Sequence, residues 1–153
     1  MTQLIAKKSL YESDYLDWTQ ETIAKLKARD FDNVDIENLI EEIQDLGRSY
    51  RDELESRLDV LLSHILKRLY VSLPNDYNGW ERTIREQRKQ IKRRLAKSPS
   101  LKNYLPEIFD EIWQDVLKEV REDYPQYEFP DLWQFDRDID TLLNNIFWYC
   151  PID

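Results

Sequence analysis

The sequence predicts an all-α fold, a bundle of four main helices with a long second helix and an irregular C-terminal flap. Three observations predict it. The apolar residues from Val34 to Leu73 keep one helical phase for longer than any other segment. Ile36, Ile40, Ile43, Gly47, Tyr50, Leu54, Leu58, Leu61 and Ile65 fall within roughly 40° of one azimuth at about 100° per residue. Only two Gly occur in 153 residues, which argues against a turn-rich β fold and against Gly-rich phosphate-cradling loops. Three other stretches repeat apolar residues at helical spacing, and polar or Pro-bearing links separate them. The core implied is a dry seam shared by several helices, with ionised groups on the outside.

Taken in order, residues 1–8 read as a loose leader without a sustained period. Ser9 followed by Glu12 fits a capping box, and Tyr11, Tyr15, Trp18, Thr22 and Leu26 then share one face, which predicts a first helix over Leu10 to Arg29. The link Asp30 to Asn33 is short, so this helix is expected to pack antiparallel to the long one. Asp35 is the expected N-cap of the long helix, with Val34 and Leu39 as its hydrophobic staple. Because the apolar phase runs through Gly47 unbroken, Gly47 reads as a point of close helix approach rather than a terminating cap. Ser72 to Gly79 is the clearest break, and a third helix is expected from Trp80, with Trp80, Ile84, Ile91 and Leu95 as a narrow buried seam. Ser98 before Pro99 suits the start of the next element, with a short turn leading into a main helix over Pro106 to Glu122. From Tyr124 the chain reads as irregular or extended with aromatic anchors, and residues 136–145 are expected to form a last short helix.

Length suits one domain spanning residues 1–153, enough to bury about 68–70% of the unfolded surface. Five Trp, nine Tyr and five Phe supply bulky core material. The single Cys150 cannot form an intramolecular disulfide, and the N-terminus lacks the apolar core of a secretory signal, so a reducing cytoplasmic setting is expected. No apolar run approaches the roughly 20 residues of a membrane span. The net charge of −9 is unevenly spread: residues 1–60 carry 15 acidic against 8 basic side chains, and residues 107–153 carry 13 against 3. Residues 81–97 reverse this, with eight basic side chains against Glu81 and Glu86.

Several motifs together resemble a bacterial family known only as domain-of-unknown-function family twenty-nine. They are Tyr11-x-x-Asp14-Tyr15-x-x-Trp18, Glu41-Glu42-Ile43-x-x-Leu46-Gly47-Arg48-Ser49 and Leu61-Leu62-x-His64-x-Leu66-Lys67. Further on come Trp80-x-x-x-Ile84-Arg85-Glu86-Gln87-Arg88 and Ser98-Pro99-Ser100-Leu101. The resemblance spans most of residues 10–122 and implies a helical bundle. It brings no established activity, catalytic residue or cofactor to transfer.

Four constellations bear on chemistry. His64 is the only histidine, and a bundle-interior His beside Glu41 or Glu42 would open a metal-dependent enzyme reading. Leu61, not a glutamate, stands three residues before it, so a hydrogen-bonded core histidine is the preferred reading, with no metal. Glu37, Glu41, Glu42 and Asp45 follow the solvent-facing pattern of a helix and read as a solvated face rather than an acid/base pair. Cys150 has only His64 for a Cys/His pair and reads as an incidental thiol. The basic helix over residues 81–97 is the most suggestive feature, with Arg85, Arg88, Lys89, Lys92 and Arg93 as candidate binding residues. These cations suit phosphates, which makes a nucleic-acid-associated protein the alternative, but they also suit acidic segments of the same chain or of another protein. The function expected is therefore a non-enzymatic protein–protein interaction module without cofactor, whose partner is another protein or a second copy of itself.

Overall fold

A computed structural model describes residues 8–149 of the chain, which form six α-helices and two 3-10 turns, with no strand among the described residues. The readings made for leader residues 1–7 and for Cys150 lie outside the described residues. The chain divides into two compact units, Met1–Arg48 and Ser49–Asp153.

In the first unit, the single helix expected over Leu10 to Arg29 is two: α1 (Leu10–Ser13) and α2 (Tyr15–Lys27). Ser9 caps α1 as expected, its side chain accepting from the Glu12 amide. The break comes from Asp14, which leaves helical geometry (φ −149°, ψ 88°) and caps α2 by accepting from the Asp17 N–H at 3.0 Å. Helix α2 ends at Lys27 because Arg29 adopts a left-handed φ of 57°. The Asp30 amide then reaches back to the Lys25 carbonyl and the Arg29 amide to Leu26, a Schellman closure. A non-glycine residue there costs about 1–2 kcal/mol, which is why the residue type did not announce the stop.

The chain returns through a 3-10 turn, Phe31–Asn33, into α3 (Ile36–Tyr70), which opens on Asp35 as expected. The Asp35 carboxylate accepts from the Asn38 amide and side chain. Residues 36–48 of α3 run antiparallel to α2, since residues earlier in the chain meet later partners: Tyr11 of α1 and Tyr15 of α2 reach Glu42 in α3, whereas Trp18 of α2 reaches Asp35 just before α3.

Two expectations about α3 fail here. Gly47 lies inside a continuous helix, but a methyl group built on it would meet no atom of the described residues within 4 Å, so none of them approaches it closely. The apolar stripe is also not uniformly buried: Ile36, Ile40 and Ile43 are 47, 50 and 59% exposed.

In the second unit, the same stripe becomes core. Leu54, Leu58, Leu61 and Ile65 of α3 pack with Ile84 and Ile91 of α4 (Pro74–Lys97) and with Phe109, Trp113 and Val116 of α5 (Leu105–Asp123). Helix α4 starts six residues before the Trp80 expected. Pro74 takes the first helical position, where its missing N–H is not needed, and Gly79 continues the helix without a positive φ. Of the expected narrow seam, Trp80, Ile84 and Ile91 are buried and Leu95 is only partly buried. Pro99–Tyr104 is a 3-10 turn into α5, although the Ser98 side chain makes no capping bond. Arg68 ties three elements: it pairs with Glu81 at 2.8 Å, lies 3.8 Å from the Tyr77 ring centre and faces Trp148.

The flap is irregular over residues 124–138 and ends in α6 (Ile139–Asn144), capped by Asp138. Its aromatic anchors enter the core. Trp133 stacks edge-on against Trp113 (5.6 Å) and Phe109 (5.9 Å), and Trp113 donates its indole N–H to the Asp131 carbonyl at 2.9 Å.

Candidate functional site

Helix α4 separates its two chemistries by helical phase, because the apolar positions 80, 84 and 91 leave the remaining azimuths to basic side chains. Arg85, Arg88, Lys89, Lys92 and Arg93 recur at spacings of three, four and seven to eight residues and so share one side of the helix. The structure brings all five together. With Leu143 and Asn144 of α6 they line an open groove of about 540 Å³.

Two of the five are committed to holding the flap. Arg88, half-buried, donates from Nε to the Leu142 carbonyl at 3.0 Å and from Nη2 to the Asn145 carbonyl at 2.6 Å. A guanidinium suits this place, since it supplies several fixed donors to the unpaired carbonyls of a helix end. Burial lowers its pKa, yet arginine stays charged at any ordinary pH. Lys92 donates to the Asn144 side-chain oxygen at 2.8 Å. Arg94, on the other flank of α4, pairs with Glu53 at 2.7 Å, and Arg57 shares that carboxylate at 3.0 Å. Burial pushes the Glu53 pKa up, but the hydrogen bonds from Arg57 and Arg94 outweigh it and leave it below the usual value.

Arg85, Lys89 and Arg93 are exposed, and none of them makes an ion pair among the described residues. The groove therefore has a fixed base of Arg88, Lys92 and Leu143 and an outer rim of three free cations.

His64 is half-buried and donates Nδ1–H to the Val60 carbonyl at 2.7 Å. Burial, and secondarily nearby Lys67, lower its pKa against that hydrogen bond and Glu119. No group of three metal-ligating side chains converges among the described residues. Asp59, which the sequence did not single out, has its pKa raised by burial and then by Glu119 and Asp115.

The acidic ridge divides. Glu37, Glu41 and Asp45 are exposed, in keeping with a solvated face. Glu42 is not: it accepts hydrogen bonds from the hydroxyls of Tyr11 and, at 2.5 Å, Tyr15. The motif Tyr11-x-x-Asp14-Tyr15-x-x-Trp18 thus latches the hairpin rather than building a reactive pocket. The latch was readable in principle, since Tyr11, Tyr15 and Trp18 share a helical face opposite a ridge of carboxylates.

The Glu42 hydrogen bond, and then burial, push the Tyr11 phenol up to about 12, and the two phenols hold the Glu42 carboxylate below its usual range. The latch is therefore fully present below pH 10.0 and lost as pH rises toward 12. At the acid end it is present above pH 4.5 and lost as pH falls below that value. In a ring-carbon NMR titration, Glu42→Gln is expected to bring Tyr11 ionisation back toward 10.0; an unchanged Tyr11 titration would refute the latch.

A family model described as a domain of unknown function, DUF29, matches residues 10–148. No curated protein and no solved structure matches the chain.

Proposed function

The chain belongs to the DUF29 family, and we propose that it acts as a non-enzymatic protein–protein interaction module whose basic groove takes an acidic segment of another protein. One observation carries this reading: Arg85, Lys89 and Arg93, exposed and without an ion pair among the described residues, stand at the rim of a groove whose base is already ordered. Free cations on a chain of net charge −9 are a local exception that steers acidic partners and repels basic ones. An ordered base lowers the entropic cost of docking, because Arg88 and Lys92 are already held by α6. The setting that goes with this reading is a reducing cytoplasm, in keeping with the single cysteine, and no cofactor takes part.

The full chain used as bait in native lysate is expected to lose its captured proteins when Arg85→Glu, Lys89→Glu and Arg93→Glu are combined. Arg88 and Lys92 are left intact so that α6 stays in place. A captured set unaffected by the triple reversal would overturn the reading. The same cations suit a phosphate backbone, and in that case the chain would shift nucleic acid in a gel with an affinity falling steeply as salt is added.

A further inference from the structure

The first unit displays an apolar face that its own helices do not cover. Ile36, Ile40 and Ile43 line α3, and Leu16, Ile23 and Leu26 line α2; all six are exposed. Helix α2 meets the start of α3 through Tyr15, which reaches Glu42, and Trp18, which reaches Asp35 just before α3, and Thr22 is buried along the same side of α2. At about 100° per residue, each exposed stripe lies roughly 100° ahead of its helix's contact line. Because the two helices run in opposite directions, equal forward offsets turn both stripes to the same side. The stripes therefore form one face, and no charged residue falls among the positions that make it.

The six side chains are between 37 and 67% exposed and together leave an apolar patch on the order of several hundred Å² open. A standard interface takes about 800 Å² from each partner, a little over half of it apolar. One hairpin face therefore offers what one side of a stable dimer requires. An interface between two copies related by a two-fold axis must be self-complementary, and an uncharged apolar face meets that condition without matching charges. Two hairpins packed face to face also give four antiparallel helices, a stable way to bury apolar stripes of this width.

We infer that this hairpin face, formed by Leu16, Ile23 and Leu26 with Ile36, Ile40 and Ile43, is the interface on which a second copy of the chain docks. The interface is separate from the basic groove and answers differently to salt. Each copy carries −9, so added salt screens the repulsion between copies and tightens the dimer, whereas it weakens a cationic groove holding an acidic partner.

Sedimentation of the full chain across the micromolar range is expected to show twice the 18.7 kDa monomer mass, with association rising in higher salt. Ile40→Glu with Ile43→Glu is expected to weaken association at least tenfold while helical circular dichroism is retained. Should that variant lose helix, Leu16→Gln with Ile23→Gln on α2 tests the same face and is expected to weaken association likewise. The groove reversal at Arg85, Lys89 and Arg93 is expected to leave the dimer intact, so failure of one reading leaves the other standing. A chain that stays monomeric throughout, its face then taken by a different protein or by none, would overturn the inference. So would a dimer indifferent to folded variants on both helices.

Discussion

Leu58→Ala is expected to destabilise the protein by about 2–5 kcal/mol, through lost burial and the cavity left behind. Ile40→Ala, at the same azimuth of the same helix, is expected to change monomer stability by less than about 0.5 kcal/mol. The two positions are 18 residues apart, five turns at about 3.6 residues per turn, and so share one helical phase in the sequence. Leu58 has no exposed surface, whereas Ile40 is half open to solvent. Urea unfolding at a concentration where the chain is monomeric checks both, as a shifted midpoint at constant slope for Leu58→Ala and an unmoved one for Ile40→Ala. Equal losses at the two positions would mean that the stripe is buried along its whole length.

Trp113→Ala is the second substitution with a large expected effect, a loss of about 3–5 kcal/mol. The indole is almost wholly buried, packs edge-on against Trp133 and donates to the Asp131 carbonyl. Its removal opens a cavity and leaves a flap carbonyl without its donor. The damage should be directional, with hydrogen exchange accelerating first over residues 129–136. Trp113→Phe, which keeps a ring but lacks the N–H, is expected to lose less stability yet still loosen that segment. Uniform acceleration over the second unit in Trp113→Phe would show that the indole bond does not hold the flap.

Local rules identified the elements well where one segment's own residues decide the outcome. Ser9 and Asp35 cap as their residue types suggest, because capping needs only a side-chain acceptor and the following amides. Three of the four seam residues expected in α4, Trp80, Ile84 and Ile91, are buried as their spacing predicts, and Leu95 is partly so. Errors came where one residue type permits two outcomes. Pro74 reads as a breaker and is in fact a helix start, and Arg29 takes a left-handed conformation that its residue type does not signal.

The candidate site was legible to the same degree. The five cations of α4 could be placed on one side of a helix from spacing alone, since phase depends only on position in sequence. Their division into holders and free groups could not, because it depends on α6, more than 50 residues away, presenting the carbonyls of Leu142 and Asn145 to Arg88. Glu42 shows the same limit: sequence assigns it to an acidic ridge, and the opposing phenols give it a different task.

By itself, the sequence determined helix rather than strand, the phase of the long apolar stripe from Ile36 to Ile65, the segregation of charge and the family, all of which follow from residue type and spacing. Only the tertiary structure decided which part of the long stripe is core and which part lies open. Burial is a property of what packs against a side chain, and in α3 the residues from Leu54 to Ile65 are covered while Ile36, Ile40 and Ile43 are left about half open among the described residues.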